Sequence, residues 1–169
     1  MMKRYYTTWD EVNMASQYLA NEIKPYLENF NSVHAIARGG FPLTTLILHQ
    51  FNPVPDLQIR CIDISRYDSV EKNRYNNFNV DDLSNKSSLV IDDLIDQGKT
   101  LQKIHQHLIV ERIWAVVMFV KPQGLSFMES LKPKIEKIVY WKTISQDSWV
   151  VFPWEQKQNL IYPPPRRRE

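Results

Sequence analysis

Only one cysteine, Cys61, stands in the 169 residues, so the chain forms no internal disulfide. Its neighbours Ile59, Ile62 and Ile64 give it the setting of a buried strand thiol rather than a nucleophile. No apolar run approaches the ~20 residues that span a bilayer. Met1-Met2-Lys3-Arg4-Tyr5-Tyr6 lacks the apolar segment of a secretion signal. The Asn85-Lys86-Ser87 sequon therefore carries no argument for glycosylation, and the cytoplasm is the expected location. Strong charge of one sign is missing as well. Lys and Arg number 21 against 19 Asp and Glu, and the net charge of +2 argues against a chain built throughout for nucleic acid. Part of that excess is the Arg166-Arg167-Arg168 tail, read as a solvated end. There are no repeats and no second domain. A hydrophobic fraction of 43% with 24% charge suits a single domain, residues 1–169, that buries a sizeable core.

Strand and helix patterns alternate along the chain. Thr8-Trp9-Asp10-Glu11 reads as a capping box, and Val12, Ala15, Leu19 and Ile23 line one face of a helix reaching about Tyr26. Val33 to Ala37 predicts a first core strand. Arg38-Gly39-Gly40 turns the chain into a helix with Pro42 in its first turn, carrying Leu43, Leu46, Ile47 and Phe51, and Pro53 and Pro55 end it. Leu57 to Ser65 predicts a second strand. Residues 66–87 are polar and weakly periodic, long enough to read as a functional loop. Strands at Leu89–Asp92, Trp114–Val120 and Ile135–Trp141 and a helix near 99–110 complete an α/β pattern with a mostly parallel sheet. Ligands of such sheets bind at the carboxyl ends of the strands. The Arg-Gly-Gly turn, the acidic residues after Ile91 and Lys121-Pro122 all fall at that edge.

Residues 89–100, Leu-Val-Ile-Asp-Asp-Leu-Ile-Asp-Gln-Gly-Lys-Thr, are the most informative stretch. An apolar strand leads into Asp92 and Asp93, and Asp96-Gln97-Gly98-Lys99-Thr100 leads into a helix. A helix start offers unpaired N–H groups and a positive dipole end to a phosphate. Carboxylates accept hydrogen bonds from sugar hydroxyls or hold a metal. Taken singly, these residues also suit turn formation, and Asp96 suits a helix N-cap. A Walker A loop is excluded, because position 93 holds Asp where that motif needs Gly. Ala37-Arg38-Gly39-Gly40 adds a turn whose backbone N–H groups can approach an anion in a nest, with a guanidinium beside it. A plain tight turn fits equally.

These segments resemble the type I phosphoribosyltransferases, nearest to the bacterial xanthine-guanine and archaeal hypoxanthine or guanine enzymes. The resemblance rests on residues 89–100, Ala37-Arg38-Gly39-Gly40, Ser65-Arg66-Tyr67, Phe119-Val120-Lys121-Pro122, Gln146–Glu155 and the opening Thr8-Trp9-Asp10-Glu11. It implies an α/β fold with a mostly parallel sheet flanked by helices, a small hood and a flexible loop at about 66–87, with a basic tail at 163–169. It implies binding of phosphoribosyl pyrophosphate (PRPP) by Ala37, Arg38, Gly39, Gly40, Arg74, Asp92, Asp93, Asp96, Gln97, Gly98, Lys99 and Thr100. A non-proline cis peptide is implied at Ala37-Arg38. Lys72 is read as a solvated loop charge. Purine contacts fall to Lys121, Trp149 and Val150: the lysine donates to a 6-oxo group, the indole stacks, and the backbone at Val150 meets the purine edge. Trp154 is read as packing. Asp96 is the implied acid or base at purine N7. Mg²⁺ is the implied cofactor, held near Asp92 and Asp93, with Glu155 where relatives place an acidic residue for a second ion; a merely exposed Glu155 is the alternative. The family usually has Thr or Ser where this chain has Gln97. The implied reaction joins PRPP to guanine, xanthine or hypoxanthine, in a homodimer or homotetramer. A PRPP-binding regulator, or a transferase for another base, stays open.

Overall fold

The computed structural model describes residues 3–63, 87–107, 110–131 and 134–156. The expected flexible loop up to residue 86, with Lys72 and Arg74, and the tail at 163–169 lie outside them. In chain order the elements are β1 (Lys3–Tyr6), α1 (Trp9–Ile23), a 3₁₀ helix (Lys24–Asn29), β2 (Phe30–Ala37), α2 (Gly40–Leu48), β3 (Gln58–Asp63), β4 (Ser87–Ile95), α3 (Lys99–His107), β5 (Arg112–Val120), α4 (Pro122–Glu129), β6 (Ile135–Thr143) and β7 (Ser148–Val151).

Five strands form a parallel sheet in the order β3-β2-β4-β5-β6, and β1 and β7 form a separate parallel pair. The sheet buries both faces, as parallel sheets do. Along β5, Trp114, Val116 and Met118 pack with the α1 residues Val12, Leu19 and Ile23 and the α2 residues Leu43 and Ile47. Ile113, Ala115 and Val117 pack on the opposite face with Leu101 and Ile104 of α3 and Met128 of α4. Among the described residues no helix is long and apolar enough to cross a membrane.

The topology locates the crevice. From β2 the chain moves outward to β3, then crosses back to β4 on the other side of β2. Such a switch point leaves a gap at the carboxyl ends of the two strands. Pairing of β2 with β4 stops at Ala35↔Ile91, whereas β5 follows β4 as far as Ile95↔Val120. The acidic pair therefore sits where β4 has lost one neighbour.

Several sequence expectations shift here. The capping box is present: Thr8 Oγ1 accepts from Glu11 N at 3.1 Å, and Glu11 Oε2 accepts from Thr8 N at 3.0 Å. The α-helix ends at Ile23 rather than Tyr26, because Pro25 starts a 3₁₀ turn. The strand expected to stop at Asp92 runs to Ile95, since Leu94 and Ile95 still pair with Phe119 and Val120. Ser87 belongs to β4, not to the loop. Cys61 is exposed rather than buried, and Ile59 is 60% exposed. The reason is that β3 is an edge strand, whose apolar alternation reports one covered face, not two. Strands β1 and β7 and helix α4 were not expected.

Candidate active site

The acidic pair is strained by its own burial. Asp92 is 8% exposed and its Oδ1 accepts the Asp93 amide at 2.9 Å. Burial raises the Asp92 carboxyl well above its ordinary value, and the Asp93 charge adds to the effect. Asp93 is pushed up to about 6, first by desolvation and then by the nearby Glu155 charge. Glu155 itself is exposed, and its Oε2 accepts from the backbone N–H of Phe152 at 3.2 Å. The exposure read as the alternative for Glu155 is thus seen, yet its field still reaches Asp93.

Opposite the pair stands the turn after β2. The Ala37-Arg38 peptide is cis. A Cβ at position 39 would collide with the Asp93 carboxylate, so the turn needs glycine to pass this close. Gly39 has helical angles, φ −65° and ψ −35°. The turn leads directly into a helix, with α2 starting at Gly40. Arg38 is exposed at its edge.

Beyond Asp93, residues 96–100 wrap a concavity of about 240 Å³ lined by Asp92, Leu94 to Thr100 and Leu101. Gly98 sits at φ +76°, a left-handed conformation that favours glycine. Its carbonyl accepts from Gln102 N at 3.0 Å as α3 begins. Gln97 and Lys99 are exposed and Thr100 is half-buried. The start of α3 thus lines a cavity beside a lysine, an arrangement suited to a phosphate.

The next wall is polar. Lys121 is 5% exposed, at the end of β5, and its Nζ lies 3.1 Å from Asp96 Oδ1. Gln146 Nε2 donates to the same oxygen at 3.2 Å. Trp149 and Val150 lie on β7, in register with Arg4 and Tyr5 of β1. Trp149 is 59% exposed, while Val150 is buried in the core. Trp154 stacks on Phe152 with centroids 4.9 Å apart and rings 5° from parallel, so it packs as expected.

The structure thus gathers Asp92, Asp93, Asp96, Gln97, Gly98, Lys99 and Thr100 around one crevice, with Gly39 against the pair and Lys121 on Asp96. Arg74 lies outside the described residues. Sequence reasoning gave Gln146 no role. Its signal was faint, a half-buried amide 50 positions from the carboxylate it contacts.

The chain is similar to known proteins over most of its length. The phosphoribosyl transferase domain model matches residues 8–156. The chain is 24% identical over 171 residues to a xanthine-guanine phosphoribosyltransferase of Idiomarina loihiensis, covering 95% of this chain and 92% of that protein. Its fold is similar to a purine phosphoribosyltransferase from Pyrococcus horikoshii, with TM-score 0.65, 24% identity and coverage of 92% and 96% of the two chains. It is also similar to a Helicobacter pylori xanthine-guanine-hypoxanthine phosphoribosyltransferase, with TM-score 0.56, 17% identity and coverage of 92% and 94%. The fold is that of the type I phosphoribosyltransferases, and with a family model spanning residues 8–156 the chain belongs to the phosphoribosyltransferase family.

Proposed function

We propose that the chain transfers the 5-phosphoribosyl group from PRPP to a 6-oxopurine (guanine, xanthine or hypoxanthine), giving the nucleoside 5′-monophosphate and pyrophosphate. The observation that carries the base class is the Lys121–Asp96 pair at 3.1 Å, beside the cavity at the start of α3. A buried ammonium offers a donor to a 6-oxo oxygen and repels the amino group of adenine. The carboxylate beside it suits the N7–H next to that oxygen. Purine N9 forms the bond to C1′ as the C1′–pyrophosphate bond breaks, and the N7 proton passes to Asp96.

Gly98, Lys99 and Thr100 bind the 5′-phosphate, and Asp92 and Asp93 take the ribose hydroxyls. Ala37, Arg38, Gly39 and Gly40 face the pyrophosphate. Trp149 stacks on the base, worth ~1–3 kcal/mol by analogy with base–aromatic stacking.

Mg²⁺ fits the donor set. Two buried carboxylates with raised proton affinity are hard oxygen ligands short of a cation. Such an ion takes most of its ligands from water and substrate. When bound, it offsets the repulsion between PRPP and the carboxylates, on the order of 4 kcal/mol per charge pair ~4 Å apart at an effective dielectric of 20. Glu155 extends this acidic field. We further propose a homodimer or homotetramer acting in the cytoplasm.

The test is an absorbance assay with PRPP, Mg²⁺ and guanine, xanthine, hypoxanthine or adenine. Turnover of at least one 6-oxopurine, with little of adenine, supports the reading. Gln97, in place of the family's usual hydroxyl, favours one second reading, a PRPP-binding regulator. Mg²⁺-dependent PRPP binding by calorimetry without turnover of any base would move the assignment there.

A further inference from the structure

We infer that Gln146 is a positioning residue that decides which oxygen of Asp96 meets the substrate. The inference rests on the reading of Asp96 as the group that takes the purine N7 proton.

Gln146 lies between β6 and β7 and touches two other elements through one amide. Its Oε1 accepts the backbone N–H of Gln123 at 3.1 Å. A backbone N–H only donates, so this contact fixes the amide orientation and turns the NH₂ toward Asp96. Nε2 then donates to Asp96 Oδ1 at 3.2 Å. The Gln123 N–H needs such a partner. It belongs to the first turn of α4, whose N-cap, Lys121, makes no side-chain capping bond. A glutamine 23 residues away supplies the acceptor.

Lys121 Nζ approaches the same Oδ1 at 3.1 Å. Two donors from two directions therefore occupy one oxygen of the carboxylate. Among the described residues no hydrogen bond engages Oδ2, and the Asp96 side chain is 47% exposed. Asp96 lines the crevice, so Oδ2 is the oxygen open to a substrate there. The lysine alone, a point charge on a flexible stem, attracts either oxygen. The planar amide, anchored at its other end to α4, adds the directional constraint that holds the carboxylate to one rotation. Since α4 follows Lys121 directly, the amide also ties the base-reading lysine and the proton acceptor to one rigid unit.

The chemistry requires both ends of the amide. Glutamate at 146 would keep an acceptor for Gln123 N–H but set a second oxygen against Asp96. Leucine would supply neither contact. Gln146→Glu and Gln146→Leu therefore separate capping of α4 from positioning of Asp96.

The experiment measures steady-state kinetics and urea unfolding for the wild type, both variants, Asp96→Asn and the Asp96→Asn/Gln146→Glu pair. In Gln146→Glu we expect kcat to fall about 10- to 100-fold, no more than the ~10²–10⁴-fold that a positioned acid or base contributes, with KM for PRPP within about twofold. In the Asp96→Asn background the same change should lower kcat no further. Unfolding should show Gln146→Glu destabilising the chain that keeps Asp96 and not the chain carrying Asp96→Asn, a coupling that a capping role alone would not produce. Wild-type turnover with unchanged kcat in Gln146→Glu, or a full further loss on top of Asp96→Asn, overturns the inference and leaves the reaction standing. Absence of wild-type turnover overturns the reaction; the unfolding cycle then decides the contact by itself, retained coupling supporting it and zero coupling overturning it.

Discussion

Asp93→Asn should make the folded chain more stable near neutral pH while impairing PRPP binding. Asp93 is pushed up to about 6 from 3.8 by burial and by the Glu155 charge. The folded state therefore holds this proton more tightly than the unfolded chain does. The sign follows: the carboxylate costs nothing below pH 3.8, its cost grows as pH rises, and it is complete above about 6. A displacement of about 2 pH units corresponds to ~3 kcal/mol at about 1.36 kcal/mol per unit, an upper value because Asp93 keeps partial contact with solvent. An asparagine side chain does not titrate, so in chelator-containing buffer the variant should gain up to ~3 kcal/mol at about pH 7.5 and almost nothing at about pH 4. For a chain of this size that is up to about 6–12 °C in the unfolding midpoint. Urea unfolding at half-unit steps from about pH 4 to 8 measures it, with calorimetry for PRPP. Mg²⁺ should stabilise the wild type more than the variant. A variant equally or less stable near neutral pH, or a gain independent of pH, would refute the electrostatic reasoning.

His34 carries the opposite dependence. It is fully buried on β2, its Nε2 lies 3.0 Å from Ser32 Oγ, and burial followed by the Arg60 charge lowers it to about 4. Its contribution is whole above pH 6.5 and declines by up to ~3 kcal/mol as pH falls to about 4, a slope that His34→Gln should remove in the same titration. Trp149→Ala should raise the purine KM about 5- to 100-fold while moving the unfolding midpoint little, because the indole is 59% exposed; a drop in stability with unchanged KM would reassign Trp149 to packing. Gly98→Ala should weaken PRPP binding and destabilise by ~1–2 kcal/mol, since φ is +76° and a Cβ would lie 2.5 Å from Phe127 Cδ1; calorimetry and thermal unfolding report the two effects separately.

The sequence made the sheet legible because buried parallel strands leave continuous apolar runs, and Leu89–Ile91 and Trp114–Val120 are such runs. The capping box at Thr8 and Glu11 likewise writes a local geometry in local residues. Strands β1 and β7 left no such trace. Lys3–Tyr6 and Ser148–Val151 are four residues each, and they pair across most of the chain. The α4 helix is hidden differently: proline and glycine have low helix propensity, yet Pro122 takes the first helical position, where its missing N–H costs nothing. Cys61 shows the limit of composition, because whether apolar alternation is covered on both faces depends on strand order. The acidic pair was legible as chemistry. The gap beside it was not, since it exists only because β2 parts from β4 after Ile91.

Those unseen short strands are tied to the rest of the molecule through a few named contacts. Tyr5 OH donates to Glu11 Oε1 at 2.5 Å, and the bond holds the phenol up at about 12. Glu11 is the same residue that closes the capping box, so the first turn of α1 and strand β1 share one carboxylate. Tyr5 lies in register with Val150, and its ring meets Phe119 of β5 edge-on at 5.8 Å. Phe119 in turn contacts Phe152 at 6.0 Å. The strand bearing Trp149 and Val150 is thereby fixed from two sides, by hydrogen bonding to α1 through β1 and by ring packing to β5. A two-stranded pair is marginal by itself. Here its placement is set by the helix cap and the central sheet, through Tyr5 on Glu11 and on Phe119.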